Sequence, residues 1–126
     1  MSESTEQIAV VDWFRLQYPK LRLIAIPNGQ WVAGEGARKF ALINKYKREG
    51  LTAGVSDLFL AHSDGQHHGL WLEMKDQGKT LSSVSADQRQ WMKDMNDAGY
   101  IAKWAAGFEQ AKAIIIDYIN GYYRTF

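Results

Sequence analysis

The segment 54–75 constrains the fold of this chain more than any other part of the sequence. It contains two apolar runs, 54–61 and 70–75, on either side of a polar stretch that includes Asp64-Gly65, a dipeptide typical of hairpin turns. The pattern predicts two strands joined by a polar turn. We therefore expect a β-hairpin whose strands are neighbours in one sheet.

Charged residues stand at the open end of this hairpin. Asp57 opens the first strand, and Glu73 and Lys75 lie near the end of the second. Residues two apart on a strand share a face, so Glu73 and Lys75 point the same way and can converge with Asp57. An exposed cross-strand ion pair would suit an edge strand, but here the charges follow residues that are apolar on both faces. The pattern favours a site that holds a metal ion and water.

The rest of the chain predicts helices and further strands around the hairpin, from apolar residues at helical or alternating spacing. In chain order we expect a helix at 3–17, a strand at 21–26, a helix within 31–48, the hairpin, a helix at about 85–98, a strand at 100–106 and a helix at 108–120. This order predicts an α/β fold, with a small mixed β-sheet of about four strands flanked by helices. With 126 residues, 46% of them hydrophobic, the chain fits a single domain over 1–126.

Composition excludes several classes of protein and of metal site. No run of about 18 apolar residues occurs and the first residues are polar and acidic, so we expect neither a membrane span nor a signal peptide, and a cytoplasmic location. The sequence has no cysteine, which excludes disulfides and thiolate metal sites. Carboxylates without thiolates favour a hard cation such as Mg²⁺ or Mn²⁺. The histidines at 62, 67 and 68 lack recognisable ligand spacing and predict a solvent-exposed loop.

Basic residues cluster just before the hairpin, although the net charge of the chain is only +1. A solvated helix face and a phosphate-binding surface explain such a cluster equally well. The aromatic C-terminal stretch 121–126 is likewise open between an interface and packing on its own domain. The basic cluster consists of Arg38, Lys39, Lys45, Lys47 and Arg48, within eleven residues that contain no acid.

Asp57, followed after fifteen residues by Glu73-Met74-Lys75, closely resembles the signature of the PD-(D/E)xK nucleases. More narrowly, most of the chain resembles the virus-type replication-repair nuclease (VRR-NUC) family, and in particular its small stand-alone phage and prophage members. The family usually has proline before the aspartate, where this chain has Ser56; that difference affects the rigidity of the strand start and not the chemistry. The segments that carry the resemblance are 26–29, 47–60, 68–75 and 85–88.

The resemblance implies a restriction-endonuclease-like core and a metal-dependent, structure-specific DNA endonuclease. It implies that Asp57, Glu73 and the backbone carbonyl of Met74 bind one or two Mg²⁺ or Mn²⁺ ions. A carboxylate of the first helix joins them, and Glu3 and Glu6 both fit that role.

The same resemblance assigns roles to further residues. Lys75 is implied to position the attacking water or to stabilise the transition state, and Gln88 to contact the water or the phosphate. Asn28 and the basic cluster defined above are candidates for contacts with the DNA backbone, which give affinity without reading sequence.

The implied substrate is branched DNA such as a four-way (Holliday) junction, cleaved in the cytosol of a phage-infected or bacterial host cell. Two paired nicks require two active sites related by a dyad, so we expect a homodimer. The alternatives are a non-catalytic DNA-binding module that retains the nuclease fold, a flap or single-strand nuclease, and a metal-dependent enzyme with another substrate.

Overall fold

A computed structural model describes residues 2–27 and 34–126 of the protein. Within these residues, four strands form one sheet and four helices flank it. The helices are α1 (Glu3–Gln17), α2 (Gly36–Arg48), α3 (Ala86–Asp97) and α4 (Phe108–Ile119), and the strands are β1 (Leu23–Ala25), β2 (Leu58–Leu60), β3 (Leu70–Lys75) and β4 (Ile101–Ala106). The predicted α/β class, with a small mixed sheet flanked by helices, is confirmed.

The sheet has the strand order β1-β2-β3-β4. The β1–β2 and β2–β3 pairs are antiparallel, whereas β3 and β4 are parallel. Leu58 pairs with Leu72, and the same register, continued by one position, sets Asp57 across from Glu73. Strand pairing alone therefore brings the two carboxylates of the predicted site to one edge.

The core lies between one face of the sheet and the helices α1 and α4. From β3, Leu70, Leu72 and Met74 point into it and are fully buried, as the alternation of strand side chains requires. From α1, the buried residues are Glu6, Val10 and Phe14, which recur every four residues and so form one stripe of the helix.

The opposite face of the sheet carries Glu73 and packs against α3. Trp71 of β3 meets Trp91 of α3 edge to face, with ring centroids 5.2 Å apart. The side chain of Asn96 bonds both the N–H and the carbonyl of Ala102 in β4. These contacts fix α3 beside the edge at which Asp57 and Glu73 meet.

Helix α2 packs differently, since none of its residues, all of which the structure describes, is buried. Leu42 and Ile43 are half-buried, whereas Phe40 remains 66% exposed. Among the residues that the structure describes, no helix combines the length and the apolar character that crossing a bilayer requires.

Some boundaries predicted from the sequence were wrong. Strand β2 begins only at Leu58, so residues 54–57 form a loop, and β1 is three residues long. Within α1, Ile8 is 60% exposed, although its spacing from Val11 predicts an inward position. Asn28 lies outside the described residues.

The turn at 61–69 is only partly the solvent-exposed loop that we expected, because His68 is exposed whereas His62 and His67 are half-buried. Asp64 is buried, and its carboxylate contacts the His67 ring at 2.9 Å. The Tyr118 hydroxyl of α4 donates a hydrogen bond to the His62 carbonyl at 2.7 Å. The C-terminal stretch reaches the same turn, where Thr125 and Gln66 exchange two hydrogen bonds.

Candidate active site

Asp57 is held between two strands immediately before β2. Its Oδ2 accepts the Met74 N–H at 2.8 Å, and its own backbone carbonyl accepts the Ile26 N–H at 2.9 Å. The N–H and C=O of one strand residue point to the same side of the strand. Because the Met74 N–H points towards Asp57, the Met74 carbonyl points to that side as well. The loop that carries Asp57 is therefore tied to both of its neighbours in the sheet.

Glu73 is a buried carboxylate with only part of its hydrogen-bonding capacity used. It is 3% exposed, and its Oε1 accepts the Gln88 Nε2–H at 2.9 Å. Its Oε2 is buried without a partner among the described residues. A buried carboxylate oxygen without a partner costs free energy, so this atom is suited to a ligand.

The sequence left Glu3 and Glu6 as alternatives for the carboxylate of the first helix, and the structure separates them. One carboxylate oxygen each from Glu3, Asp57 and Glu73 lie within 4.8 Å of one another. Glu6 is not in this cluster, because its carboxylate accepts the backbone N–H of Phe108 at the start of α4.

The three clustered carboxylates resist being charged together. Burial, followed by the charge of Asp57, raises the pKa of Glu73 to about 9. Burial is also the main cause that raises the pKa of Asp57 and that of Glu3. The Lys75 ammonium opposes all three shifts and lies 3.9 Å from Glu73 Oε1. A further positive charge at the cluster would therefore stabilise the ionised form of all three carboxylates.

The donor set fits a hard divalent cation. Such ions bind oxygen at about 2.0–2.6 Å, so that ligands on opposite sides are about 4–5 Å apart; the oxygens of the cluster lie within that span. The free Glu73 Oε2 and the direction of the Met74 carbonyl add to the fit. The residues present thus suit an oxygen-bound metal.

A cleft of about 400 Å³ opens onto the cluster. One wall is formed by Ile43 and Lys47 of α2 and by the loop 51–55. Lys75 and Gln88 line the cleft together with the carboxylates. Of the predicted basic cluster, Lys47 lines this cleft, and the remaining members lie elsewhere on α2.

Gln88 makes three protein contacts, two with its side chain and one with its backbone N–H. Its Oε1 accepts the Ser85 N–H at 2.9 Å, while its backbone N–H donates to the Ser85 hydroxyl, which completes a capping box at the start of α3. Its Nε2 binds Glu73. Gln88 therefore lines the cleft and also links the Glu73 carboxylate to the start of α3.

Sequence reasoning missed two residues beside the site. Gly54 has a φ of 86° and passes so close to the first turn of α3 that a Cβ would lie 2.9 Å from the Gln88 nitrogen. Asp76 has a buried Oδ1 without a partner among the described residues, and its charge raises the pKa of Glu3. Their signals were a glycine just before Asp57 and a third acidic residue directly after Lys75.

Carboxylates and a lysine at the open ends of adjoining strands in a small mixed sheet define a nuclease core of the PD-(D/E)xK type. The family model described as "VRR-NUC domain" matches residues 1–109. A solved structure named "VRR_NUC domain protein" is similar, with 26% identity and a TM-score of 0.77 over 94% of this chain and 88% of the other. No curated protein matches the sequence. The chain belongs to the VRR-NUC family, and this membership implies a nuclease-type function with DNA binding and use of divalent metal.

Proposed function

We propose that the protein, as one domain over 1–126, is a metal-dependent endonuclease that hydrolyses phosphodiester bonds in branched DNA. The observation that carries the proposal is the unpartnered Oε2 of buried Glu73, set within an oxygen cluster with Asp57 and Glu3. Structural ion pairs normally use the full hydrogen-bonding capacity of buried carboxylates, whereas this cluster leaves Glu73 Oε2 without a partner among the described residues. Its chemistry is that of a site completed by a ligand.

The metal would be held by Asp57, Glu73 and Glu3, together with the Met74 carbonyl. When bound, Mg²⁺ or Mn²⁺ supplies the charge that stabilises phosphoryl oxygens and lowers the pKa of a water molecule. The chain itself contributes the orientation of these ligands. Met74 N–H holds one oxygen of Asp57, and Gln88 holds one oxygen of Glu73, which leaves the second oxygen of each carboxylate for the ion.

Lys75 would contribute a fixed positive charge beside the scissile phosphate. Its side chain is 12% exposed and shares a strand face with Glu73. A compact ammonium at this position can orient the attacking water and stabilise negative charge that develops on the phosphate. Removal of this amine should therefore abolish turnover and leave DNA binding largely intact.

DNA would reach the cleft along α2. No residue of this helix is buried, and its Lys47 lies at the cleft wall. Arg38, Lys39, Lys45 and Arg48 extend the same basic helix, and their phosphate contacts would raise affinity for any sequence. We propose the same backbone-binding role for Asn28.

A four-way junction is the proposed substrate, and a homodimer the proposed active form. Two coordinated nicks need two sites related by symmetry. Helix α2 leaves Phe40 and Tyr46 exposed beside the cleft wall, which supplies apolar surface for a second copy. Light scattering should give twice the mass of the 14.3 kDa chain; a monomer at assay concentration would remove the paired-nick mechanism.

The activity is tested by incubating the purified protein with labelled linear, flap and four-way DNA in Mg²⁺, Mn²⁺ or chelator. We expect metal-dependent cleavage of the four-way substrate, lost in Asp57→Ala and Lys75→Ala. Lys103→Ala is the matched lysine control, because Lys103 contacts Tyr123 on the other face of the sheet.

The other outcomes distinguish the remaining functions. Metal-dependent cleavage of flaps or single strands alone would replace the junction substrate. Metal-independent binding without cleavage, unchanged in Asp57→Ala, would indicate a non-catalytic DNA-binding module. Metal-dependent hydrolysis of a different substrate would leave the site assignment intact and refute the DNA substrate.

A further inference from the structure

We infer that Glu6 is a positioning residue, which fixes the first turn of α1 against α4 and thereby places Glu3 beside Asp57 and Glu73. The inference rests on the proposed function, because Glu6 acts here on the geometry of the proposed metal site. It assigns Glu6 to the support of that site and not to its ligands.

Glu6 is a charged residue in a core position. It is 1% exposed and continues the buried stripe of Val10 and Phe14 along α1. A buried carboxylate is tolerated when its charge is matched by hydrogen bonds or by an opposite charge. Its Oε2 accepts the backbone N–H of Phe108, the first residue of α4.

The start of α4 supplies both a donor and a favourable field for this carboxylate. The residue before the helix is Gly107, which has no side chain that could cap it. The first N–H groups of a helix lack partners within the helix and carry partial positive charge. Glu6 therefore serves as the cap of α4, although the two partners are 102 positions apart in the sequence.

The same end of α4 is also tied to the strand that carries Glu73 and Lys75. The Gly107 N–H donates to the Lys75 carbonyl at 2.9 Å. Gly107 has a φ of 93°, and a Cβ there would lie 3.1 Å from the Gln77 Cβ. Residues 107–108 thus join the first turn of α1 to the end of β3.

Glu3 depends on this junction for its place. Ser2 caps the helix start, with its hydroxyl accepting the Thr5 N–H at 3.1 Å, but Ser2 contacts only α1 in doing so. The buried residue of α1 nearest to Glu3 is Glu6, and the next is Val10. Helix ends that are not tied down are poorly ordered, so loss of the Glu6 contact should free the turn that carries Glu3.

The location of Glu6 argues against the ligand role that the sequence left open for it. Glu6 lines a second cleft, together with Gln77, Gly107 and Glu109. The oxygen cluster contains Glu3, Asp57 and Glu73 without Glu6. Glu6 and Glu3 therefore contact different parts of the molecule from one helical turn.

The test is a double-mutant cycle on Mn²⁺ affinity, measured by calorimetry with Mn²⁺ alone. Glu6→Ala should weaken binding by about 10-fold or more, the size of effect typical of residues that orient a ligand. Glu3→Ala should weaken it at least as much, and the double variant should be no weaker than Glu3→Ala, because Glu6 acts through Glu3. Additive losses would overturn the inference, since they indicate that Glu6 acts independently of Glu3.

Two further variants separate positioning from general stability. Glu6→Gln keeps an oxygen that can accept the Phe108 N–H, and it should recover most of the affinity lost in Glu6→Ala. Val10→Ala destabilises the same stripe without touching α4's first N–H, and it should keep wild-type affinity at a temperature where it is fully folded. Equal losses in Val10→Ala and Glu6→Ala would overturn the inference.

Amide hydrogen exchange tests the junction without metal or DNA. Glu6→Ala should speed exchange in residues 5–8 and 108–111 and leave β3 unchanged, whereas Asp12→Ala, an exposed carboxylate on the same helix, should change neither. Unchanged exchange in Glu6→Ala would overturn the positioning role. If the wild-type protein binds no Mn²⁺ but the exchange result holds, the proposed function fails and the α1–α4 junction stands.

Discussion

The hairpin formed by β2 and β3 holds one buried carboxylate at each end, and the two differ in how many of their oxygens have hydrogen-bond partners. Asp64, in the turn, is 8% exposed and accepts hydrogen bonds from the Gln66 N–H, the His67 N–H and the His67 ring. Glu73, at the open end, is 3% exposed and has one oxygen without a partner among the described residues. Burial alone does not distinguish a structural carboxylate from a ligand-binding one; the hydrogen bonds do.

The pKa values follow this difference. Burial acts to raise the pKa of Asp64, but the hydrogen bonds from His67 and Gln66 outweigh it and lower the pKa below 3.8. Burial and the Asp57 charge raise the pKa of Glu73 from 4.5 to about 9. Ionised Asp64 therefore stabilises the folded state, whereas in the metal-free protein Glu73 makes folding less favourable as the pH rises from 4.5 towards 9.

Glu73→Gln should produce the largest effect. We expect endonuclease turnover to fall by about 10³-fold or more, because the variant loses a charged metal ligand. The free energy of unfolding of the metal-free protein at pH 7 should stay the same or rise, because glutamine does not have to take up a proton on burial, as Glu73 does when its pKa rises to about 9. The measurements are single-turnover cleavage and urea denaturation; a strongly destabilised Glu73→Gln would show that Glu73 is structural, like Asp64.

Asp64→Ala should have the opposite effects, with a loss of stability and no loss of turnover. Three hydrogen bonds to the carboxylate are lost, and the part-buried backbone N–H groups of Gln66 and His67 lose their acceptor. We expect the free energy of unfolding to fall by about 3 kcal/mol, with turnover per folded molecule unchanged. Asp12→Ala serves as the exposed-carboxylate control in the same denaturation series. Loss of turnover in fully folded Asp64→Ala would mean that the two ends of the hairpin are coupled.

Added Mn²⁺ should stabilise the folded protein by binding at Glu73, at the open end of the hairpin, and not at Asp64 in the turn. At a free concentration about 100 times the dissociation constant, we expect a gain of about 2.7 kcal/mol in unfolding free energy. Glu73→Gln should abolish most of this gain, and Asp64→Asn should retain it. An equal gain in all three proteins would place the ion elsewhere on the molecule.

The stability that Asp64 contributes should depend on pH. Because the pKa of Asp64 in the folded state lies below its ordinary 3.8, its contribution is complete above that value and is lost as the pH falls through the folded pKa. The difference in unfolding free energy between wild type and Asp64→Asn should therefore narrow below about pH 4. A difference that stays constant from pH 7 to pH 2 would contradict the role of the ionised carboxylate.

Sequence reasoning succeeded where the relevant physics is local. The side chains of β3 alternate whatever surrounds them, so the shared face of Glu73 and Lys75 could be predicted, as could the helix at 3–17 from the spacing of its apolar residues. The family resemblance then identified the nuclease core, which the comparisons confirm.

Two of the features that were not predicted concern residues whose partners are distant in the sequence. Glu6 shares a four-residue spacing with Val10 and Phe14, a visible sign that it is buried, but its partner Phe108 could not be identified from spacing. Asp64 and His67 are three residues apart, yet this spacing shows neither that Asp64 is buried nor that Tyr118 of α4 donates to a carbonyl of their turn. In both cases α4 supplies the contact that local patterns cannot predict.

Lys47 of α2 and Lys103 of β4 should differ in their contribution to DNA binding, by less than Glu73 and Asp64 differ in their contribution to turnover. Lys47 lines the cleft, whereas Lys103 lies over the Tyr123 ring, 4.8 Å from its centroid. In the inactive Lys75→Ala background, Lys47→Ala should weaken DNA binding several-fold for every sequence and reduce the slope of log K against log salt by about 0.9, as expected for one lost phosphate contact. Lys103→Ala should change neither quantity in the same fluorescence-anisotropy titrations. Two results together would contradict this path: Lys47→Ala leaves the salt slope unchanged, and Lys47→Ala in the protein that retains Lys75 still cleaves DNA. DNA would then reach the carboxylates by a path that does not cross α2.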